Sequence, residues 1–231
     1  MKQVTAIIVA GGSGKRMGTN IKKQFIEMNE KEILAHTIET FNRSKVIDDI
    51  IVVVGEEDCQ RVQEDIVNKY GYYKVSKVVK GGKERQDSVY NGLIAVQKET
   101  EYVMIHDGAR PFISETIIEK ALKVTKEKKA TVVAVPVKDT IKVVNQEGKV
   151  EGTPNRSTLW SVQTPQSFEK QLLMRAYEFA REKKLDVTDD SMIVEAYGSE
   201  VHIVEGEYNN IKITTIEDLD LGQAILKNKT N

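Results

Sequence analysis

Between Ala6 and Gly18 the chain reads AIIVAGGSGKRMG: an apolar run, a cluster of small residues, then Lys15 and Arg16 with no acid among them. Ala10, Gly11, Gly12 and Gly14 let backbone N–H groups approach a phosphate closely. Lys15 and Arg16, with Lys22 and Lys23 just beyond, put positive charge beside it. Two familiar phosphate loops do not fit. A Walker loop needs a glycine separated by four residues from its Gly-Lys pair, and counting back from Gly14 reaches Val9; Arg16 stands where Ser or Thr is required. A dinucleotide loop needs G-x-G-x-x-G; Gly12 and Gly14 fit, but Met17 takes the third place, one short of Gly18. What is left is a glycine loop carrying its own cations, suited to a triphosphate. The plainer reading is a tight turn from strand to helix with no ligand.

Four further stretches carry residues that could do chemistry. GGKERQDSV, Gly81 to Val89, is a second glycine turn entering a helix, with Asp87 or Ser88 available as N-cap. HDGARPF places Asp107 at the end of a strand. There an acid holds Mg²⁺ bound to phosphates, or simply starts a turn. NRSTLWSVQTPQSF brings together Arg156, the single tryptophan Trp160, and Thr164-Pro165; Trp160 reads as core or interface. TDDSM, from Thr188, reads alone as a helix cap. NNIKIT sets Lys212 in a short strand, where a lysine is ordinarily solvated.

The elements that must hold these residues alternate. VTAIIVA, IIVVVG, YVMIHDG and TVVAVPV are apolar on both faces, as strands of a mainly parallel, doubly covered sheet are. Helical spacing occurs over Ile33–Phe41, Glu57–Tyr70, Ser88–Val96 and Ser114–Lys128, with Ser114 an N-cap. This predicts an α/β sandwich with right-handed crossovers. The pattern breaks after Val137. Short alternating runs and a turn at Asn145–Gly148 predict a β-arm, Lys138 to about Ser157, standing off the sheet. Beyond it we expect a helix over Glu169–Lys184, a short one after Thr188, strands at Val201–Glu205 and Asn210–Thr214, and a last helix from Ile216. The expectation is one domain, residues 1–231, with the arm (138–157) inserted.

Lys and Arg number 34 against 35 Asp and Glu, so no global basic field exists for nucleic acid or a membrane surface. Anion binding must come from local clusters. Cys59 stands alone and cannot form an internal disulfide, and no His/Cys spacing suits zinc. No apolar run approaches the roughly 20 residues of a membrane helix, and Val4–Ala10 is too short for a signal core. A cytoplasmic protein is expected.

Taken in order, AGGSGKRMG, KKQF, GGKERQDSV, HDGARPF, PVKDT, PNRSTLWSVQTPQSF, TDDSM and NIKIT make the chain resemble the 2-C-methyl-D-erythritol 4-phosphate cytidylyltransferases of the non-mevalonate isoprenoid pathway. The resemblance runs from Val4 to about Leu226. It implies a Rossmann-like sheet of the nucleotidyltransferase type, a homodimer interlocked through the arm, and the substrates CTP and a polyol phosphate. Arg16 and Lys23 match the cations that stabilise the reacting phosphate. Ala10, Gly11, Gly12, Gly14 and Lys15 match the nucleotide loop, and Gly82, Asp87 and Ser88 the loop that reads cytosine and ribose. Asp107 matches the acid that meets Mg²⁺ or substrate. Arg110 and Thr140 match contacts to the sugar alcohol. Arg156 and Lys212 match residues that position the incoming phosphate, with Thr188 nearby. One departure stands out: Lys22 occupies a place where the family often has proline, which would pre-set the loop.

The chemistry agrees with the residue types. A phosphate monoester attacking the α-phosphorus of CTP brings two anions together, so cations and positioning are the main requirements. The nucleophile is already ionised, and no general base is called for. The alternatives are ribitol-5-phosphate cytidylyltransferase, with the same chemistry on another acceptor, and a CTP-binding regulatory protein without catalysis. Trp160 with HDGARP and RSTLWSVQTPQ favours the erythritol enzyme. The coexistence of Arg16, Lys23, Arg156 and Lys212 argues against a mere sensor.

Overall fold

The computed structural model describes residues 3–12 and 22–230. The chain opens with β1 (Val4–Val9). A short 3-10 turn, Lys23–Phe25, precedes a small antiparallel pair, β2 (Glu27–Met28) and β3 (Lys31–Glu32). Then follow α1 (Ile33–Arg43), β4 (Asp49–Val54), and α2, whose first turn Cys59–Arg61 widens into a π-type stretch Val62–Asn68. Next come β5 (Val75–Lys80), α3 (Arg85–Ala95), β6 (Tyr102–Asp107), α4 (Glu115–Lys128) and β7 (Ala130–Pro136). The short strands β8 (Val143–Val144) and β9 (Val150–Gly152) lead to β10 (Trp160–Glu169) and α5 (Lys170–Lys183). α6 (Asp190–Ala196), β11 (His202–Glu205) and α7 (Ile216–Thr230) complete the order.

Seven of the described strands form the main sheet, in the order β11-β7-β10-β6-β1-β4-β5. Each parallel pairing is made by β1 with β4 and β6, β4 with β5, and β7 with β11; β10 alone runs against its neighbours. β1 shows why the strands are apolar throughout. Val4, Ala6 and Ile8 pack on one face with α1, α2 and α4, while Ile7 packs on the other with α3, α5 and α6. A third cluster, Met28, Ile33, Ala109, Phe112, Ile213 and Ile225, seals the end of the sheet near Asp107.

The helices fall where the apolar spacing puts them, with one instructive shift. α3 starts at Arg85, not Ser88. Its N-cap is Glu84, and Asp87 serves as the third helical residue of a capping box, bonding back to the Glu84 N–H. Ser114 caps α4 as expected, accepting from Ile117 N at 3.3 Å. Within the stretch expected to be an arm, β8 and β9 form a two-stranded antiparallel hairpin and, among the described residues, pair only with each other, about a turn fastened by Gly148 N to Asn145 O. Gly148 has φ 81°, a conformation open to glycine without strain.

One expectation is corrected, and one strand that was not expected is added. Residues 210–214 are not a strand; the segment lies across the loop after β6 and makes a single ladder-like bond, Ile213 N to Ala109 O at 2.8 Å. Lys212 is therefore not on a strand face. The stretch 160–169 is a strand of the main sheet, in which Trp160 is half-buried beside Pro136.

Candidate active site

Parallel strands gather their ligand-binding loops at their C-terminal edge, at a point where the strand order reverses. β1 sits at that point, between β6 and β4. Residues 10–12 at the end of β1 and the loops after β5 and β6 border a cavity of about 460 Å³ whose wall includes Gly11, Gly12, Lys23, Gly82, Arg85, Ser88, Asp107 and Lys212. Ala10 belongs to the same wall and is tied to the sheet through its N–H to Val53 O.

Gly82 is held by Ser88, whose Oγ accepts from the Gly82 N–H at 3.0 Å and donates to Glu84 O. A Cβ on Gly82 would lie 2.2 Å from Asp87 Cβ, so only glycine allows this turn to fold onto the start of α3. Asp87, engaged in the cap, does not line the cavity.

Asp107 is the centre of the site's charge. Lys212 Nζ lies 2.7 Å from Oδ2, Arg85 Nε 3.6 Å from Oδ1, and Arg110 Nε 3.6 Å from Oδ2. Burial alone would raise the carboxyl, but Lys212 and then Arg85 outweigh it and hold Asp107 well below the usual carboxylate range. Beside it, His106 is fully buried. Its Nε2–H donates to Arg110 O, and its Nδ1 accepts from Thr164, whose hydroxyl in turn accepts from the Asp107 N–H. Burial pushes the imidazole down to about 4, so it is neutral at pH 7 and serves as a prop for the Asp107 backbone.

Lys23 reaches the cavity from the Lys23–Phe25 turn, its Nζ donating to Ile213 O at 3.3 Å. Lys22 faces away, paired with Glu57 and with Asp58 at 2.6 Å. Gln24 also borders the cavity; its side-chain amide is buried and has no hydrogen-bond partner among the described residues.

The structure brings Ala10, Gly11, Gly12, Lys23, Gly82, Ser88, Asp107 and Lys212 to one cavity. Gly14, Lys15 and Arg16 lie outside the described residues. Arg110 supports the site from behind, donating to Asn210 O. Thr188 stands by a separate small cavity and donates to the Met192 sulfur. Thr140 and Arg156 are exposed on the arm, where Arg156 donates to Lys138 O. Within one chain they do not join the cavity wall.

Arg85 and Gln24 were not among the residues expected at the site. A signal for Arg85 exists: a cation in the first turn of a helix opposes the macrodipole, and so is there for another reason. For Mg²⁺ the fit is of one kind only. No group of three potential ligands occurs among the described residues. A single ionised carboxylate at Asp107, completed by phosphate oxygens, is a common way for this ion to be held.

The model of the family described as "2-C-methyl-D-erythritol 4-phosphate cytidylyltransferase" (IspD) matches residues 4–228. The chain belongs to that family. Relatives carrying the same name include one from Clostridioides difficile, 52% identical over 96% of this chain and 93% of its own. Another, from Alkaliphilus oremlandii, is 49% identical over 99% and 97%. Among solved structures, the 4-diphosphocytidyl-2C-methyl-D-erythritol synthase of Anaerococcus prevotii is similar with a TM-score of 0.87 and 38% identity, covering 98% of this chain and 96% of that one. The cytidylyltransferase of Thermus thermophilus is similar with a TM-score of 0.78 and 29% identity, covering 97% and 99%. The α/β sheet with its single antiparallel strand is thus the nucleotidyltransferase fold of the cytidylyltransferase family.

Proposed function

We infer that this chain joins CTP and 2-C-methyl-D-erythritol 4-phosphate, giving 4-diphosphocytidyl-2-C-methyl-D-erythritol and pyrophosphate. The observation that carries the reading, with the family match, is the convergence of Lys23, Arg85 and Lys212 on one cavity around the ionised Asp107.

A phosphate oxygen of the acceptor attacks the α-phosphorus. A P–O bond forms there as the bond to the β-phosphate breaks, and pyrophosphate leaves with the electron pair. Charge builds on the oxygens about the α-phosphorus, and fixed cations aimed at it lower the barrier. Lys23 is the residue given that role, together with Arg16. Gly11, Gly12, Gly82 and Ser88, with Ala10, Gly14 and Lys15, are given to the nucleotide. Asp107 would hold Mg²⁺, which screens the triphosphate when bound. Lys212 positions the acceptor phosphate. His106 takes no proton, since it is buried, neutral and fully bonded.

Thr140 and Arg156 reach a site, on this reading, from the arm of a second copy. The arm's Val143, Val144 and Val150 are exposed, and a two-stranded hairpin is marginal in water by itself. A homodimer exchanging arms about a two-fold axis would cover them. No helix of the described residues is long and apolar enough to cross a membrane, and we place the enzyme in the cytoplasm.

Pyrophosphate release tests the function. It should require CTP and 2-C-methyl-D-erythritol 4-phosphate together, and fall at least tenfold with ribitol 5-phosphate. Preference for ribitol 5-phosphate, or CTP binding with no turnover on either acceptor, would refute the reading.

A further inference from the structure

Arg85 is the first residue of α3, and its guanidinium is divided between two acids. Nη2 lies 2.9 Å from Asp190 Oδ2, while Nε stands 3.6 Å from Asp107 Oδ1. Asp190 is fully buried and firmly held. Its Oδ1 accepts from the Tyr177 hydroxyl at 2.6 Å, and its N–H donates to Gln166 Oε1 at 3.0 Å. Gln166 also donates to the neighbouring Asp189 at 2.9 Å. The start of α6 is thus fixed against β10 and α5, and Asp190 is a fixed anchor for Arg85.

We propose that Arg85 is a further phosphate-binding cation of this site, and that Asp190 is the positioning residue that holds its guanidinium at the cavity wall and off Asp107. The argument rests on the reading of Asp107 as the acid that meets the metal–nucleotide complex. A guanidinium beside a carboxylate closes on it through two parallel hydrogen bonds when nothing else holds it. Here one end of the fork is taken by Asp190, and Arg85 stays at 3.6 Å from Asp107. Without that anchor, Arg85 would close on Asp107. The carboxylate would be masked from a metal, and the cation withdrawn from the phosphates.

Binding tests this without turnover. Mn²⁺ is followed by the spin-resonance signal of the free ion in the presence of CTP, and CTP by calorimetry. The proteins are the unaltered chain, Asp107→Asn, Asp190→Asn, Arg85→Met, and the double variant. Asp107→Asn should weaken Mn²⁺ binding; no change would overturn the reading of Asp107 and the proposal with it. Given that weakening, Asp190→Asn should weaken Mn²⁺ and CTP binding each about tenfold, and Arg85→Met should weaken CTP about tenfold. Adding Asp190→Asn to Arg85→Met should cost nothing more, because no guanidinium is left to redirect. Normal binding by Asp190→Asn, or its full loss persisting in the Arg85→Met background, overturns the proposal while the Asp107 reading stands. Should Asp190→Asn not fold, Arg85→Lys decides. It leaves Asp190 a cation but no fork, and should weaken CTP about fivefold; unchanged CTP binding overturns the proposal.

Discussion

Lys212 Nζ lies 2.7 Å from Asp107 Oδ2, which fastens the segment after β11 to the C-terminal end of β6. Both residues border the same cavity. On the reading of Lys212 as the residue that positions the acceptor phosphate, replacing it with Ala should act on the acceptor side. We expect its KM for the polyol phosphate to rise about 10- to 100-fold, the range for a lost hydrogen bond to a charged group, with CTP affinity largely kept. Equal weakening of both substrates in steady-state kinetics would contradict this role.

Lys22 and Lys23 are adjacent but face different surroundings. Lys22 is taken up by Glu57 and Asp58, and Lys23 borders the cavity. Lys23→Ala should lower kcat by roughly 10²–10³. Lys22→Ala, which loses a partly exposed ion pair, should cost less than about tenfold. Reversed magnitudes would show that Lys22 is the reacting cation.

His106 gives a pH dependence of stability. Folded, its imidazole is held down to about 4 by burial. An unfolded chain takes up that proton near pH 6.5. Stability is thus complete above pH 6.5 and falls as pH drops from 6.5 to 4, by roughly 3 kcal/mol. Asp107, held well below the usual range, loses its contribution only at lower pH, beginning near the ordinary Asp value. Denaturant unfolding of metal-free protein at pH 7, 5.5 and 4.5 should trace the His106 loss. In His106→Gln the slope should be flatter; an unchanged slope would assign it to other groups.

The arm couples assembly to activity on this account. Removing residues 138–157, with a short linker in their place, should give a monomer in sedimentation that binds CTP and does not turn over. A fully active monomer would rule out a site completed by the second copy.

The parts of the fold written in periodic residues were legible. β1, β4, β6 and β7 are apolar on both faces because both faces are covered, and Ser114 caps α4 as its type requires. β10 was not. Its SVQTPQSF stretch is polar, and a proline inside a central strand argues against a strand. Pro165 sits where the pairing with β7 is interrupted, between Val162 and Gln166, and so takes no ladder bond away. The buried polar residues serve other elements: Thr164 props Asp107 and His106, and Gln166 fixes the start of α6. Lys212 was placed on a strand because its neighbours alternate, yet the segment's anchor is Ala109 O, far away in sequence. Arg85 escaped notice for the same reason, since its partners Asp107 and Asp190 come from other elements.

The most direct measurement of the central claim is a ³¹P spectrum of the protein with CTP, Mg²⁺ and 2-C-methyl-D-erythritol 4-phosphate. The account predicts a diester diphosphate and free pyrophosphate accumulating in equal amounts, with CTP and acceptor consumed one for one. CTP hydrolysed without loss of acceptor, or CTP and acceptor both unchanged, would contradict it.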